Sequence, residues 1–241
     1  HLQDAVPITL GDEFKGYSGQ IDESIKNLKY ALSLLQHIPI GGTAVGTGIN
    51  APKGYAKLVA NNISEIVGLR FMVDSNIFSG MQNIKEESLL SGVLRTCATA
   101  LNRIANDIRL LGSGPRAGIG ELILPPVQPG SSIMPGKVNP SMAEMLNMVC
   151  FHVMGCCTTV DEAANSGQLE LNVFMPIAAF NFVFAIKALS NAVLSFNDRC
   201  LKGIEANTRR IKRSLEENLS LATALTPYIG YAKAAEIANI A

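Results

Sequence analysis

Four long stretches of this chain repeat apolar side chains at steps of three and four residues, and that period leaves room for little except a helical bundle. The first, over residues 12–37, places Phe14, Tyr17, Ile21, Ile25, Leu28, Leu32 and Leu35 on one stripe and ends at Pro39. The second, over residues 85–111, carries Leu89, Val93, Cys97, Leu101, Ile104, Ile108 and Leu111, and the glycines and proline of residues 112–118 break it. The third covers residues 140–165. The fourth runs from Leu169 past Phe196 and is expected to kink at Pro176, with Phe180, Val183, Phe184, Ile186 and Leu194 as core. Shorter helices fit residues 55–67 and residues 208–218, the latter capped by Asn207, and residues 220–241 are helical in pattern. Residues 68–82 are looser. No segment alternates with period two, and residues 122–126 allow at most one brief strand before two prolines. The expected fold class is all-α, an elongated bundle whose Gly/Pro loops hold the unusual polar residues.

Charge excludes several partners. Twenty basic and twenty acidic residues balance, so nothing favours nucleic acid or an anionic membrane surface. No uninterrupted apolar run reads as long enough to span a bilayer. Charged residues are only 17% of a chain built from long apolar helices, which points to a surface covered by further copies of the chain. Cys97, Cys150, Cys156, Cys157 and Cys200 are odd in number and form no CxxC pair. That pattern predicts free thiols in a reducing cytoplasm, with no disulfide framework, zinc site or other cofactor. His37 and His152 read as helix-surface or satisfied core residues.

The loops carry the chemistry. Gly130-Ser131-Ser132-Ile133-Met134-Pro135-Gly136-Lys137-Val138-Asn139-Pro140 joins two long helices. Gly and Pro forbid regular structure there, while the serines, Lys137 and Asn139 supply hydroxyls, a cation and an amide. Ile133 and Met134 are expected to anchor the loop. Lys137 has no acidic neighbour within it, and the loop opens into a helix N-terminus, which attracts anions. A second loop, residues 40–50, is rich in glycine but has neither Rossmann nor P-loop spacing. It reads equally as a close-packed helix connection or as a polar site lined by Thr43 and Thr47. A triad of Ser131, His1 and Asp4 can be drawn, but no nucleophile elbow surrounds Ser131. Proton abstraction beside a carboxylate fits better. The enolate dianion it forms needs concentrated positive charge, which Lys137, loop amides and a helix N-terminus can provide, with His1 and Glu144 as a proton relay.

GSSIMPGKVNP closely resembles the signature of the fumarase/aspartase superfamily. HLQDAVPITLGDEF, GGTAVGTGIN, IANDIRLLGSGPRAG, GQLELNV and TALTPYIGY are similar to further family segments, in family order. The resemblance implies a homotetramer around a twenty-helix core, with each active site drawn from three subunits. It also implies anti-elimination of water or an amine from a small dicarboxylate to give fumarate. By the same resemblance Ser131 matches the catalytic base on a mobile loop. Lys137 and Asn139 match the residues that bind the substrate carboxylate and stabilise the aci-carboxylate. His1 matches the histidine of the second conserved region, and Glu144 its acidic partner. Ser132, Thr43 and Thr47 are expected near the substrate.

The segments LGSGPR, GELILP, NVFMP and TALTPYIGY look like class II fumarate hydratase. Gln82-Asn83, Gln168-Leu169-Glu170-Leu171-Asn172, MAEMLNMVCF and SFNDRCLKGIEAN look like aspartate ammonia-lyase, although Met175 departs from it. The expectation is aspartate ammonia-lyase, with fumarate hydratase as the alternative and a non-catalytic oligomerisation core as a third reading. Residues 1–219 are expected to be the family's central helical domain and residues 220–241 the start of a cut C-terminal domain. The N-terminal domain is expected to be absent, and the chain alone inactive.

Overall fold

The Thr9 hydroxyl accepts a hydrogen bond from the Asp12 N–H (3.1 Å) and so starts α1 (Leu10–Leu34), two residues before the expected start. A computed structural model describes residues 1–241. The chain leaves α1 early because Gln36 and Ile38 find backbone partners elsewhere. Strand β1 (His37–Ile38) pairs in parallel with β2 (Met72–Val73), so His37 lies in a strand and not on a helix surface. Between them runs α2 (Tyr55–Val67), as expected. Residues 68–82 are more regular than their sequence implies, because Asn76 caps α3 (Ile77–Gln82) by accepting from the Ser79 N–H.

The long helices follow. α4 (Lys85–Leu111) packs on α1, and α5 (Ser141–Asn165) packs on α4. α6 (Met175–Arg199) packs on α5. Strand β3 (Leu122–Ile123) pairs antiparallel with β4 (Glu205–Ala206) and ties the end of α4 to the chain beyond α6. Asn207 caps α7 (Thr208–Glu216) through the Arg210 N–H. A 3-10 segment (Leu219–Leu225), α8 (Thr226–Ile229) and α9 (Tyr231–Ile240) pack on one another at the end.

Pro176 does not kink α6. It occupies the first turn, where its missing N–H has no intrahelical partner to lose. Residues 168–174 form a loop instead, fastened by the fully buried Asn172. Its side chain donates to the Ala163 carbonyl (2.9 Å) and accepts from the Phe174 N–H (2.8 Å), and its backbone N–H reaches the Met81 carbonyl.

The main core is aliphatic and sulfur-rich. Ile108, Leu146, Cys150 and Val153 are fully enclosed along the α4–α5 seam. A smaller cluster of Ile84, Val160, Ala163 and Ala178 closes the opposite end. α6 departs from expectation. It turns Ala178, Ala185, Leu189, Ala192 and Phe196 inward, while Phe180, Val183, Phe184, Ile186 and Leu194 point out. Small residues let α6 lie close against α5, and the bulky stripe remains for another surface. By length and composition α5 and α6 are each apolar enough to cross a bilayer, contrary to expectation. In this fold both pack into the bundle, α5 most deeply.

Candidate active site

The loop before α5 is held by its own backbone. The Gly130 N–H donates to the Lys137 carbonyl (3.0 Å), and Asn139 Nδ2 donates to the Gly130 carbonyl (2.8 Å). A side chain at position 130 would run into the Lys137 carbonyl, so only glycine closes the loop at this width. Gly136 takes a φ of 77°, the left-handed region that turns the chain back. Ile133 and Met134 do not anchor the loop: Ile133 is 85% exposed, and both point away from the bundle.

Within the loop Ser131 Oγ accepts two backbone hydrogen bonds, from the Ile133 N–H (3.1 Å) and the Met134 N–H (3.0 Å). Two convergent donors favour the ionised form of an oxygen. An alkoxide formed at this position would meet both donors. Ser132 is exposed beside it. Lys137 is exposed with no acidic group in ion-pair range. One Asn139 N–H fastens the loop, which leaves its second N–H for a ligand.

Lys137 and Asn139 line a cleft of about 720 Å³ that runs under the loop to the end of α4. Asn106, Arg109 and Ser113 form its other wall, and Asn207 closes it. None of these four was expected at a site, and Asn207 was expected only as a helix cap. The available signal was Asn102, Asn106 and Arg109, polar residues stepping by four and three along the last turns of the helix. Glu144 lies on the first turn of α5, with one carboxylate oxygen 3.8 Å from the Arg109 guanidinium. With Arg109 turned to Glu144, the cleft offers Lys137, the Asn106, Asn139 and Asn207 amides and a helix N-terminus, a set suited to a carboxylate.

The remaining expected residues make no contact with this group. His1 is exposed and makes no ion pair with Glu144 within the chain. Thr43 and Thr47 lie exposed on the glycine loop, whose Gly46 packs on Phe78 of α3. That is the start of α4, whereas the serine loop is at its end, and 27 residues of helix separate them by about 40 Å. One chain therefore brings Ser131, Ser132, Lys137, Asn139 and Glu144 to one end and leaves Thr43 and Thr47 at the other. His152, exposed on α5, packs edge-on against Phe184 and takes no part.

Comparison with known proteins agrees with the fold. The chain is 50% identical to the class II fumarate hydratase of Thermosynechococcus vestitus over 239 residues, covering 99% of this chain and 51% of that protein. It is 49% identical to the mitochondrial fumarate hydratase of Dictyostelium discoideum, covering 99% and 49%. A recombinant class II fumarase from Schistosoma mansoni superposes with a TM-score of 0.96 at 38% identity, over 99% of this chain and 53% of that one. A fumarate lyase:delta crystallin from Brucella melitensis bound to cobalt gives 0.93 at 47%, over 99% and 52%. The chain thus spans about half the length of the relatives it matches. The model of a family described as lyase matches residues 1–155, and with these relatives along the whole length the chain belongs to that family, within the fumarase/aspartase superfamily.

Proposed function

We propose that the protein carrying this chain is a class II fumarate hydratase, interconverting malate with fumarate and water. The observation that carries this reading is identity of 46–50% to proteins named fumarate hydratase across essentially the whole chain. It replaces the ammonia-lyase expectation, which rested on short segments such as residues 168–172. Of those segments, residues 168–172 lie in the Asn172 loop, at the far end of α5 from the serine loop, where they bear on packing.

In this reading the Ser131 alkoxide removes the proton from the malate carbon beside one carboxylate. Lys137 and the free N–H of Asn139 hold that carboxylate as it becomes the aci-carboxylate dianion, with the N-terminus of α5 behind them. The C–O bond at the neighbouring carbon then breaks, and the hydroxyl departs as water with a proton from the relay that includes His1 and Glu144. Ser132 completes the loop side, and Thr43 and Thr47 are contributed from the far end of another copy. A homotetramer is the assembly this reading requires. It is supported by the outward apolar stripe of α6 and by the separation of the site residues along α4. Residues 1–219 are read as the central bundle domain and residues 220–241 as the opening of the next. The reduced thiols support a reducing compartment and no finer placement, since one relative is mitochondrial.

The test is an assay of the full-length protein at 240 nm. Malate should yield fumarate, and fumarate plus water should yield malate with no dependence on ammonium. Aspartate formation from fumarate and ammonium would replace this reading with the ammonia-lyase. A tetramer with neither activity would favour a structural core.

A further inference from the structure

Arg109 is the one residue of the cleft wall whose side chain links the cleft to Glu144. On α4, Asn102 and Arg109 are seven residues apart and share a face; on α5, Glu144 and Asn147 are three apart and share another. The two faces meet. Asn147, 3% exposed, donates through Nδ2 to both the Asn102 carbonyl (3.1 Å) and Asn102 Oδ1 (2.8 Å). Those two bonds fix its amide, so its Oδ1 faces Arg109 and accepts from Nη1 (3.1 Å). The guanidinium is thereby oriented, with Nη2 toward Glu144 at 3.8 Å. That spacing attracts the carboxylate without occupying its lone pairs, so both Glu144 oxygens remain open to a further donor. Arg109 Nε is buried and has no acceptor. Arg95 Nε, away from the cleft, is likewise unpaired, so the orientation of Arg109 rests on its bonds to Asn147 and its approach to Glu144.

We propose that Arg109 is a positioning residue, held by Asn147, that orients the Glu144 carboxylate beside the Lys137/Asn139 cleft. The inference rests on the fumarate-lyase reading, in which Glu144 belongs to the proton relay. Arg109 acts through Glu144 and not on the substrate, so its loss affects kcat more than KM.

The experiment is a double-mutant cycle in the full-length protein with Arg109→Met, Glu144→Gln and both, scored by kcat and KM for malate and fumarate. Arg109→Met should lower kcat about tenfold to a hundredfold with KM changed less than about threefold. In the Glu144→Gln background it should lower kcat by less than about twofold. Arg109→Lys, which keeps the charge and stem, should recover part of kcat and also serves if the methionine variant fails to fold. Effects that multiply in the double variant, a change confined to KM, or full activity in Arg109→Met would each overturn the proposal while leaving the hydratase reading intact. An unmodified full-length protein inactive on malate, fumarate and aspartate would overturn the reading itself, and this inference with it.

Discussion

A serine hydroxyl is a weak base, and Ser131 becomes a useful one only if its alkoxide is stabilised before substrate arrives. The Ile133 and Met134 N–H groups already point at Oγ. Hydrogen bonds to a charged group are worth about 1.5–3 kcal/mol and neutral ones about 0.5–1.5, so only the difference, about 1–1.5 kcal/mol per bond, favours the ionised form. Replacing Ser131 with alanine in the full-length protein should lower kcat by about 10³- to 10⁴-fold, since it removes the proposed base. The loop is exposed and its N–H groups turn to water, so Tm should move by less than about 2 °C. Retention of a tenth of wild-type turnover would remove Ser131 from the base role. At this scale the sequence is informative about residue types and poor about their use. A serine, a lysine and an asparagine in a Gly/Pro loop announce an anion site. That one Asn139 N–H is committed to the Gly130 carbonyl, and that Ile133 points outward, depend on how the loop folds, which hydrophobicity does not encode.

Elements were legible where strong punctuation coincided with the helical period. α2 and α4 match expectation because Gly68 and Gly112 stop them, and α5 because Pro140 precedes it. Expectation failed where a tertiary hydrogen bond outweighed local pattern, as with Asn172 before α6 and the β1–β2 pair after α1. The stripe on α4 also shifts by one residue in its first half, since Leu90 and Leu94 are buried where Leu89 and Val93 were expected. On α5 the buried face is unusual for its thiols. Burial, with a smaller contribution from Cys97, pushes the Cys150 thiol up to about 12, and burial takes Cys200 to about 11. Both folded values are raised, so the unfolded chain loses these protons first. The stabilisation is full below about pH 9 and is lost as pH rises toward the folded values. Above pH 9 each such thiol should cost about 1.4 kcal/mol of stability per pH unit. Urea midpoints of the full-length protein between pH 8 and 10.5 should fall accordingly, and Cys150→Ala should flatten the slope by one proton. An unchanged slope in that variant would show that Cys150 titrates alike in both states.

At the scale of the molecule, two facts that look like defects in one chain become consistent with association. Only 35 of 241 residues are buried, and the bulky stripe of α6 faces out, with Phe180 67% and Leu194 57% exposed. The Phe180 and Phe184 rings stack at 6.4 Å, forming a flat apolar surface. Meanwhile the glycine loop with Thr43 and Thr47 is a helix length away from Ser131. Packing helices of separate copies side by side in opposite directions would cover the stripe and bring the two ends together. No period or motif in the sequence records which copy a side chain would serve; only the family resemblance implied a site shared between subunits. The α6 stripe was expected to be core and is exposed in this chain. A charge placed there tests the argument. Phe180→Asp in the full-length protein puts a carboxylate into an apolar interface, where an unpaired charge costs several kcal/mol. The variant should elute at lower mass, keep its far-ultraviolet helical signal, and lose at least about 100-fold in turnover although the serine loop is untouched. If it keeps both its assembly mass and its activity, the α6 stripe is not the surface that brings the two ends of the bundle together.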